Sequence, residues 1–134
     1  RIFVDTGYVF AGADETGHLH RRAAAWSDDL SERLITTEYV LVEAVNHFHH
    51  PVDRPRVAAL ARWVRSTEGF IFLPASVDLL DAGLALFEAR PDKAWSLTDC
   101  ISFHVMSQRG IKRALAYDRH FEQAGFEPML RRDP

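Results

Sequence analysis

Ile2-Phe3-Val4-Asp5-Thr6-Gly7 is the stretch whose reading decides the fold. Apolar residues in an unbroken run, without alternation, read as a short strand buried on both faces. The run stops at a carboxylate, and Thr6-Gly7 then turns the chain. A charge at the end of a buried strand needs a partner. Capping the following turn is the plain structural alternative. A second run, Ala114-Leu115-Ala116-Tyr117, stops in the same way at Asp118. If the two strands are parallel, Asp5 and Asp118 leave the sheet at one edge, the edge where open α/β sheets bind ligands.

Working outward, Tyr8 to Ala11 begins a helix, with Gly12 and Gly17 marking a loop. Leu19, Ala23, Trp26 and Leu30 carry helical spacing from about His18 to Arg33. Thr36 or Thr37 is an N-cap for a helix that reaches about His49 and is stopped by Pro51. Its apolar arc is Val40, Leu41, Ala44, Val45 and Phe48, and Glu43 falls at the rim of that arc beside Val40. Arg56 to Ser66 is a further helix, with Val57, Leu60, Ala61 and Val64 inward. Phe70 to Pro74 is a strand. Ser76 caps a helix of Val77, Leu80, Leu84 and Phe87 that ends before Pro91. Ser96 or Thr98 opens the next helix, which carries Asp99 in its first turn, then Ile101, Val105 and Met106, and stops at Gly110. Arg113 to Tyr117 is a strand, Asp118 to Gln123 a helical turn, and Phe126 to Leu130 an edge strand that tolerates Pro128. Strands and helices alternating in this way predict an α/β fold with a parallel sheet covered on both faces.

The chain has 134 residues, which fits a single domain over 1–134. With 47% hydrophobic and 26% charged residues it has the composition of a globular protein with a real core. A formal net charge of −3 argues against holding nucleic acid by bulk positive charge. It leaves room for a nuclease, whose carboxylates count as negative until a cation binds. The single cysteine, Cys100, excludes an internal disulfide and a Cys-based zinc site, and favours a reducing cytoplasm. No apolar stretch is long enough to span a bilayer. The chain begins at Arg1 rather than Met, so residues before it are not accounted for.

Asp5, Glu43, Asp99 and Asp118 each have an ordinary reading as a cap, a first-turn anion or a solvated charge. Asp14, Asp28, Asp29, Asp53, Asp78, Asp81 and Asp92 read as surface charge. Were the first set to gather at one edge, the carboxylates would repel one another, and a hard divalent cation such as Mg²⁺ or Mn²⁺ would hold them together. That points to phosphate chemistry.

Four pieces together carry a family likeness: Phe3-Val4-Asp5-Thr6, Thr37-Glu38-Tyr39-Val40-Leu41-Val42-Glu43, Ser96-Leu97-Thr98-Asp99-Cys100, and Ala116-Tyr117-Asp118-Arg119-His120-Phe121. In order and spacing the chain resembles the PIN-domain ribonucleases, and most closely the VapC-type toxins of bacterial toxin–antitoxin pairs. The resemblance implies a three-layer α/β/α sandwich with a central parallel sheet. It implies that Asp5, Glu43, Asp99 and Asp118 form an acidic pocket for Mg²⁺ or Mn²⁺, with Thr6 and Ser96 matching positions that carry a hydroxyl. Asp5, Asp99 and Asp118 would ligate the metal, and Glu43 would take a second ion or position the attacking water. It further implies metal-dependent endoribonuclease activity leaving 5′-phosphate and 3′-hydroxyl ends, a cognate antitoxin and a homodimer. Tyr117 departs from the small or hydroxyl residue common before the last acid.

Arg113 and Arg119 bracket the strand that ends at Asp118 and are the best candidates for RNA phosphate contact. His47, His49 and His50 lack partners at zinc-motif spacing and read as helix-end residues, as do His18 and His20. His120 is a candidate substrate contact. Trp26, Trp63 and Trp95 read as packing or interface residues, Trp63 suiting a partner groove. No nucleophile elbow and no Gly-rich phosphate loop is present. A haloacid-dehalogenase-type phosphatase would need an acid where Gly7 stands. A receiver domain would need an acidic pair after the first strand and a Lys beyond Lys112. A PIN fold that binds RNA or a partner without cutting is the remaining alternative.

Overall fold

The computed structural model describes residues 1–13 and 16–134. Asp14, read above as surface charge, lies outside the described residues. The chain runs β1 (Ile2–Val4), α1 (Thr6–Ala13), α2 (His20–Asp29), β2 (Leu34–Thr37), α3 (Glu38–His47), α4 (Arg54–Ser66), β3 (Phe70–Leu73), α5 (Val77–Ala89), α6 (Leu97–Arg109), β4 (Arg113–Leu115), α7 (Arg119–Gln123) and β5 (Glu127–Pro128), with a 3₁₀ turn at Met129–Arg131.

The five strands of the described residues are all parallel, in the order β3-β2-β1-β4-β5. Phe3 lies between Ile35 and Ala114, so β1 is the central strand. The chain moves outward from β1 to β2 and β3, then returns to the other side of β1 as β4. This reversal makes the β1/β4 boundary a topological switch point, where a crevice opens at the carboxyl ends of the strands. Successive strand residues face opposite ways. Phe3 and Ala114 therefore join a core with Trp95, Phe103, Met106 and Phe121, below α5, α6 and α7. Ile2, Val4 and Leu115 join a second core with Val9, Ala23, Trp26 and Leu130, below α1 and α2. The result is a three-layer α/β/α sandwich.

Several expectations need correction. The helix expected to reach Arg33 stops at Asp29, and Leu34–Thr37 forms a strand the sequence reading did not contain. Its β-branched Ile35, Thr36 and Thr37 favour extended backbone, and the Thr36 hydroxyl donates to the Val4 carbonyl at 2.7 Å. Thr37 both ends this strand and caps α3, its Oγ1 accepting the Val40 amide. Thr6-Gly7 is the first turn of α1 rather than a turn before it, and Gly12 lies inside that helix. On α5 the apolar residues that marked the helix lie largely outside: Val77, Leu84 and Phe87 are 72%, 40% and 48% exposed. Leu79 and Leu86 face the core instead, and buried Gly83 lets α5 approach α6 so closely that a Cβ there would sit 2.3 Å from Ile101 Cγ1. The strand expected over Arg113 to Tyr117 ends at Leu115, and the last strand is only Glu127–Pro128.

Candidate functional site

The carboxyl ends of β1 and β4 open into a cleft of about 630 Å³ lined by Asp5, Glu43, Asp99 and Asp118, together with Thr6, Ser96 and His120. Residues far apart in sequence thus meet at the switch point, as the edge argument required. Asp5 follows the last residue of β1, Glu43 comes from the middle of α3, Asp99 from the first turn of α6, and Asp118 caps α7.

The carboxylates are held in different ways. Asp99 completes a capping box: its backbone amide donates to Ser96 Oγ at 3.0 Å, and its Oδ2 accepts the Ser96 amide at 3.1 Å. Asp118 Oδ1 accepts the His120 amide at 2.9 Å. The His120 imidazole lies between these two acids, with Nδ1 at 2.9 Å from Asp99 Oδ2 and 3.3 Å from Asp118 Oδ1. Asp99 and Asp118 therefore cap their helices and line the cleft at once.

Asp5 is different. It is 4% exposed, and its Oδ1 has no hydrogen-bond partner, alone among the buried side-chain polar atoms of the described residues. Burial pushes its pKa up to about 8. The charges of Asp99, Glu43 and Asp118 add to the rise, against a lowering hydrogen bond from the Thr6 backbone. A buried carboxyl oxygen without a donor, facing further carboxylates, is a site of strong negative potential with one kind of partner missing. All the candidate donors are hard oxygens, which suits Mg²⁺ or Mn²⁺. No group of three His, Cys, Asp or Glu among the described residues already forms a cage around one point. Mg²⁺ does not need one, because it keeps several waters and commonly binds through one or two carboxylates.

Thr6 lies 7% exposed on the cleft wall, and Ser96 acts through the cap of α6. Arg113 is placed elsewhere. It opens β4 at the amino end, opposite the cleft, and its guanidinium pairs with Glu32. Arg119 is exposed at the start of α7 and is not among the lining residues. The two arginines bracket the strand in sequence, but a strand sends its two ends to opposite edges, so only Arg119 is at the end of β4 that meets the cleft. His49 and His50 are helix-end residues, their rings bonded to the Asn46 carbonyl and the Val52 amide. His20 is bonded to the Ala11 carbonyl. His18, His47, Phe10, Phe48 and Tyr117 line the cleft with the acids, a grouping the sequence reading did not make. Glu43 and His47, four apart on one helix face, were the available signal. Trp26 and Trp95 are buried, their indole N–H groups bonded to the Arg132 carbonyl and Gln123 Oε1.

The PIN-domain family model matches residues 2–127. No curated protein sequence matches the chain. Among solved structures, it is similar to VapC20 of Mycobacterium tuberculosis, described as a sarcin-ricin loop cleaving toxin. That likeness has a TM-score of 0.87 and 25% identity, covering 96% of this chain and 98% of the other. It shares its fold with a chain of FitAcB from Neisseria gonorrhoeae, with a TM-score of 0.69, 16% identity and the same coverage of both chains. Family match, strand order and the convergence of acids at the β1/β4 crevice agree. The chain belongs to the PIN-domain family and has the fold of its VapC-type members.

Proposed function

We propose that the chain is a divalent-cation-dependent endoribonuclease and the toxin of a toxin–antitoxin pair. The observation that carries this reading is the unpartnered, buried Oδ1 of Asp5 at the point where Glu43, Asp99 and Asp118 converge. Asp5, Asp99 and Asp118 would hold Mg²⁺ or Mn²⁺. A bound cation would supply the Lewis acid, acidify the attacking water and stabilise charge on the phosphoryl oxygens and leaving group. Glu43, on the α3 wall, would orient the water and accept its proton. His120 would fix the rotamers of Asp99 and Asp118, so that their remaining oxygens face the cleft. Ser96 and Thr37, by capping α6 and α3, set the positions from which Asp99 and Glu43 project.

An active ribonuclease calls for restraint by a partner. A separate, mostly apolar groove lies between α1, α2 and α4, lined by Tyr8, Val9, Leu60, Trp63, Val64 and Phe70. An antitoxin helix would lay its apolar face there. The exposed stripe Val77, Leu84 and Phe87 on α5 would serve a homodimer. Among the described residues no helix is long and apolar enough to cross a membrane.

The test is cleavage of total RNA with and without Mn²⁺, beside Asp5→Ala. Mn²⁺-dependent cuts with 5′-phosphate ends, absent in the variant, are expected. Metal-independent cutting, or equal cutting by the variant, overturns the reading. A wild-type protein whose melting temperature ignores Mn²⁺ and which cuts nothing would be the non-cutting PIN fold instead.

A further inference from the structure

We propose that the amino edge of the sheet, opposite the cleft, is a second contact surface that grips the phosphate backbone of RNA away from the cut. The inference rests on the nuclease reading above and deepens it. A hollow of about 340 Å³ opens at that edge, lined by Arg1, Arg109, Gly110, Ile111, Lys112 and Arg113. Its four cations gather in a molecule whose formal net charge is −3. Three of them sit on one short connection. Arg109 is in the last turn of α6, Gly110 ends that helix with φ at 66°, and Arg113 opens β4. The backbone between them is held fast. Ile111 is buried and its amide donates to the Met106 carbonyl at 2.9 Å, while the Lys112 carbonyl accepts the Glu127 amide at 2.9 Å. Arg109 and Lys112 are thus presented to solvent from a fixed frame.

Ordinary structural roles account for part of this. A cation in the last turn of α6 suits the helix dipole, which explains Arg109. Arg113 pairs with Glu32. Lys112 and Arg1 have no such account. Among the described residues the side chains of Arg1, Arg109 and Lys112 form no ion pair. Unpaired like charges repel, and a polyanion laid across them removes that cost. The cleft supplies a second argument. Among the described residues that line it there is no Lys or Arg. Its carboxylates repel every phosphate that the bound cation does not touch, so the rest of the backbone has to be held elsewhere, and Lys and Arg are the usual means. β4 and the residues after it set the patch roughly 15 Å from Asp118. That is about two Debye lengths at physiological salt, so the acids do not cancel the patch. A long RNA running over the side of the sheet reaches both ends of β4, and a tetranucleotide seated in the cleft does not.

The experiment measures binding of the whole protein to a fluorescent RNA hairpin of about 40 nucleotides and to a tetranucleotide, by anisotropy in EDTA across a salt series, then cleavage of both in Mn²⁺. In EDTA the cleft offers acids alone, so hairpin binding reports the patch. Wild type is expected to bind the hairpin at least about tenfold more tightly than the tetranucleotide. The double variant Arg109→Gln, Lys112→Gln is expected to weaken hairpin binding about tenfold and to flatten the slope of log affinity against log salt by about 1.5, the share of two phosphate contacts. Its KM for the hairpin should rise about tenfold with kcat unchanged, and its cutting of the tetranucleotide should stay the same. Arg21→Gln with Arg62→Gln removes the same charge from exposed positions on α2 and α4 and should leave all these values in place. A hairpin bound no more tightly than the tetranucleotide overturns the proposal. So does an equal loss in the α2–α4 variant, or an unchanged slope and KM in the double variant at 109 and 112. If wild type cuts neither RNA in Mn²⁺ yet hairpin binding still needs Arg109 and Lys112, the nuclease reading fails and the contact surface stands. If cutting is normal but insensitive to those two positions, the contact surface fails and the nuclease reading stands.

Discussion

The β1–α1 junction and the start of α6 each place a buried aspartate in one cleft, and they do it in opposite ways. Asp99 is 8% exposed, ties back to the Ser96 amide and meets His120. Asp5 is 4% exposed and leaves one oxygen with no donor. The α6 junction would be stable with no ligand present. The β1 junction is stable only because the rest of the fold holds a group that would rather be in water or bound to a cation. On the proposed function, the difference separates an acid that would serve architecture and chemistry together from one that would serve chemistry at a cost to the fold.

The largest expected effect comes from removing the costly charge. Asp5→Asn should lower metal-dependent cleavage by about 10³-fold or more, the loss of several kcal/mol of charge stabilisation. In chelator at pH 8 the same variant should melt higher than wild type. The direction follows from linkage. The folded pKa of Asp5, about 8, lies above its ordinary value of 3.8, so between those values the native state holds a proton the unfolded chain has released. Stability of the metal-free protein therefore falls as pH rises from about 4 to about 8. Melting curves across that range should show the decline in wild type and a flatter profile in Asp5→Asn. A wild-type stability that rises over the range would break the contrast between the two aspartates.

His120→Ala comes next. Removing the imidazole frees Asp99 and Asp118 from each other, and apparent Mn²⁺ affinity should fall about 10- to 100-fold, as for other residues that orient metal ligands. Calorimetric titration with Mn²⁺ checks it. The smallest effect sharpens the α6 side. Ser96→Ala removes the cap but leaves every carboxylate, and should cost about 1 kcal/mol in urea unfolding with activity reduced only modestly. A loss of activity as large as that of Asp5→Asn would mean that Ser96 does more than cap.

Much of this was legible in the sequence, and the failures have physical causes. The unbroken run before Asp5 and the first-turn place of Asp99 identify themselves because strand burial and helix starts are local, while the cap was left between Ser96 and Thr98 until the structure chose Ser96. Asp118 was legible for the same reason, as an N-cap after an apolar run. Leu34–Thr37 was not, since so short a segment with two threonines gives capping and strand signals at once. On α5 two apolar stripes compete, and only the approach allowed by Gly83 decides which one packs. The place of Arg113 was not legible, because nearness in sequence to Asp118 says nothing about which edge of the sheet a side chain reaches. The rings that line the cleft come from α1, α3 and the segments around His18 and Tyr117, and nothing in the sequence pattern joins those pieces before the sheet does.

Trp63 stands edge-on to Phe70 at the rim of the apolar groove and is 47% exposed, while the other two tryptophans are buried. The protein thus carries an intrinsic optical reporter at the place where a regulator would dock. Emission that moves to shorter wavelength on mixing would register that encounter without any label, and would do so independently of events at the carboxylates.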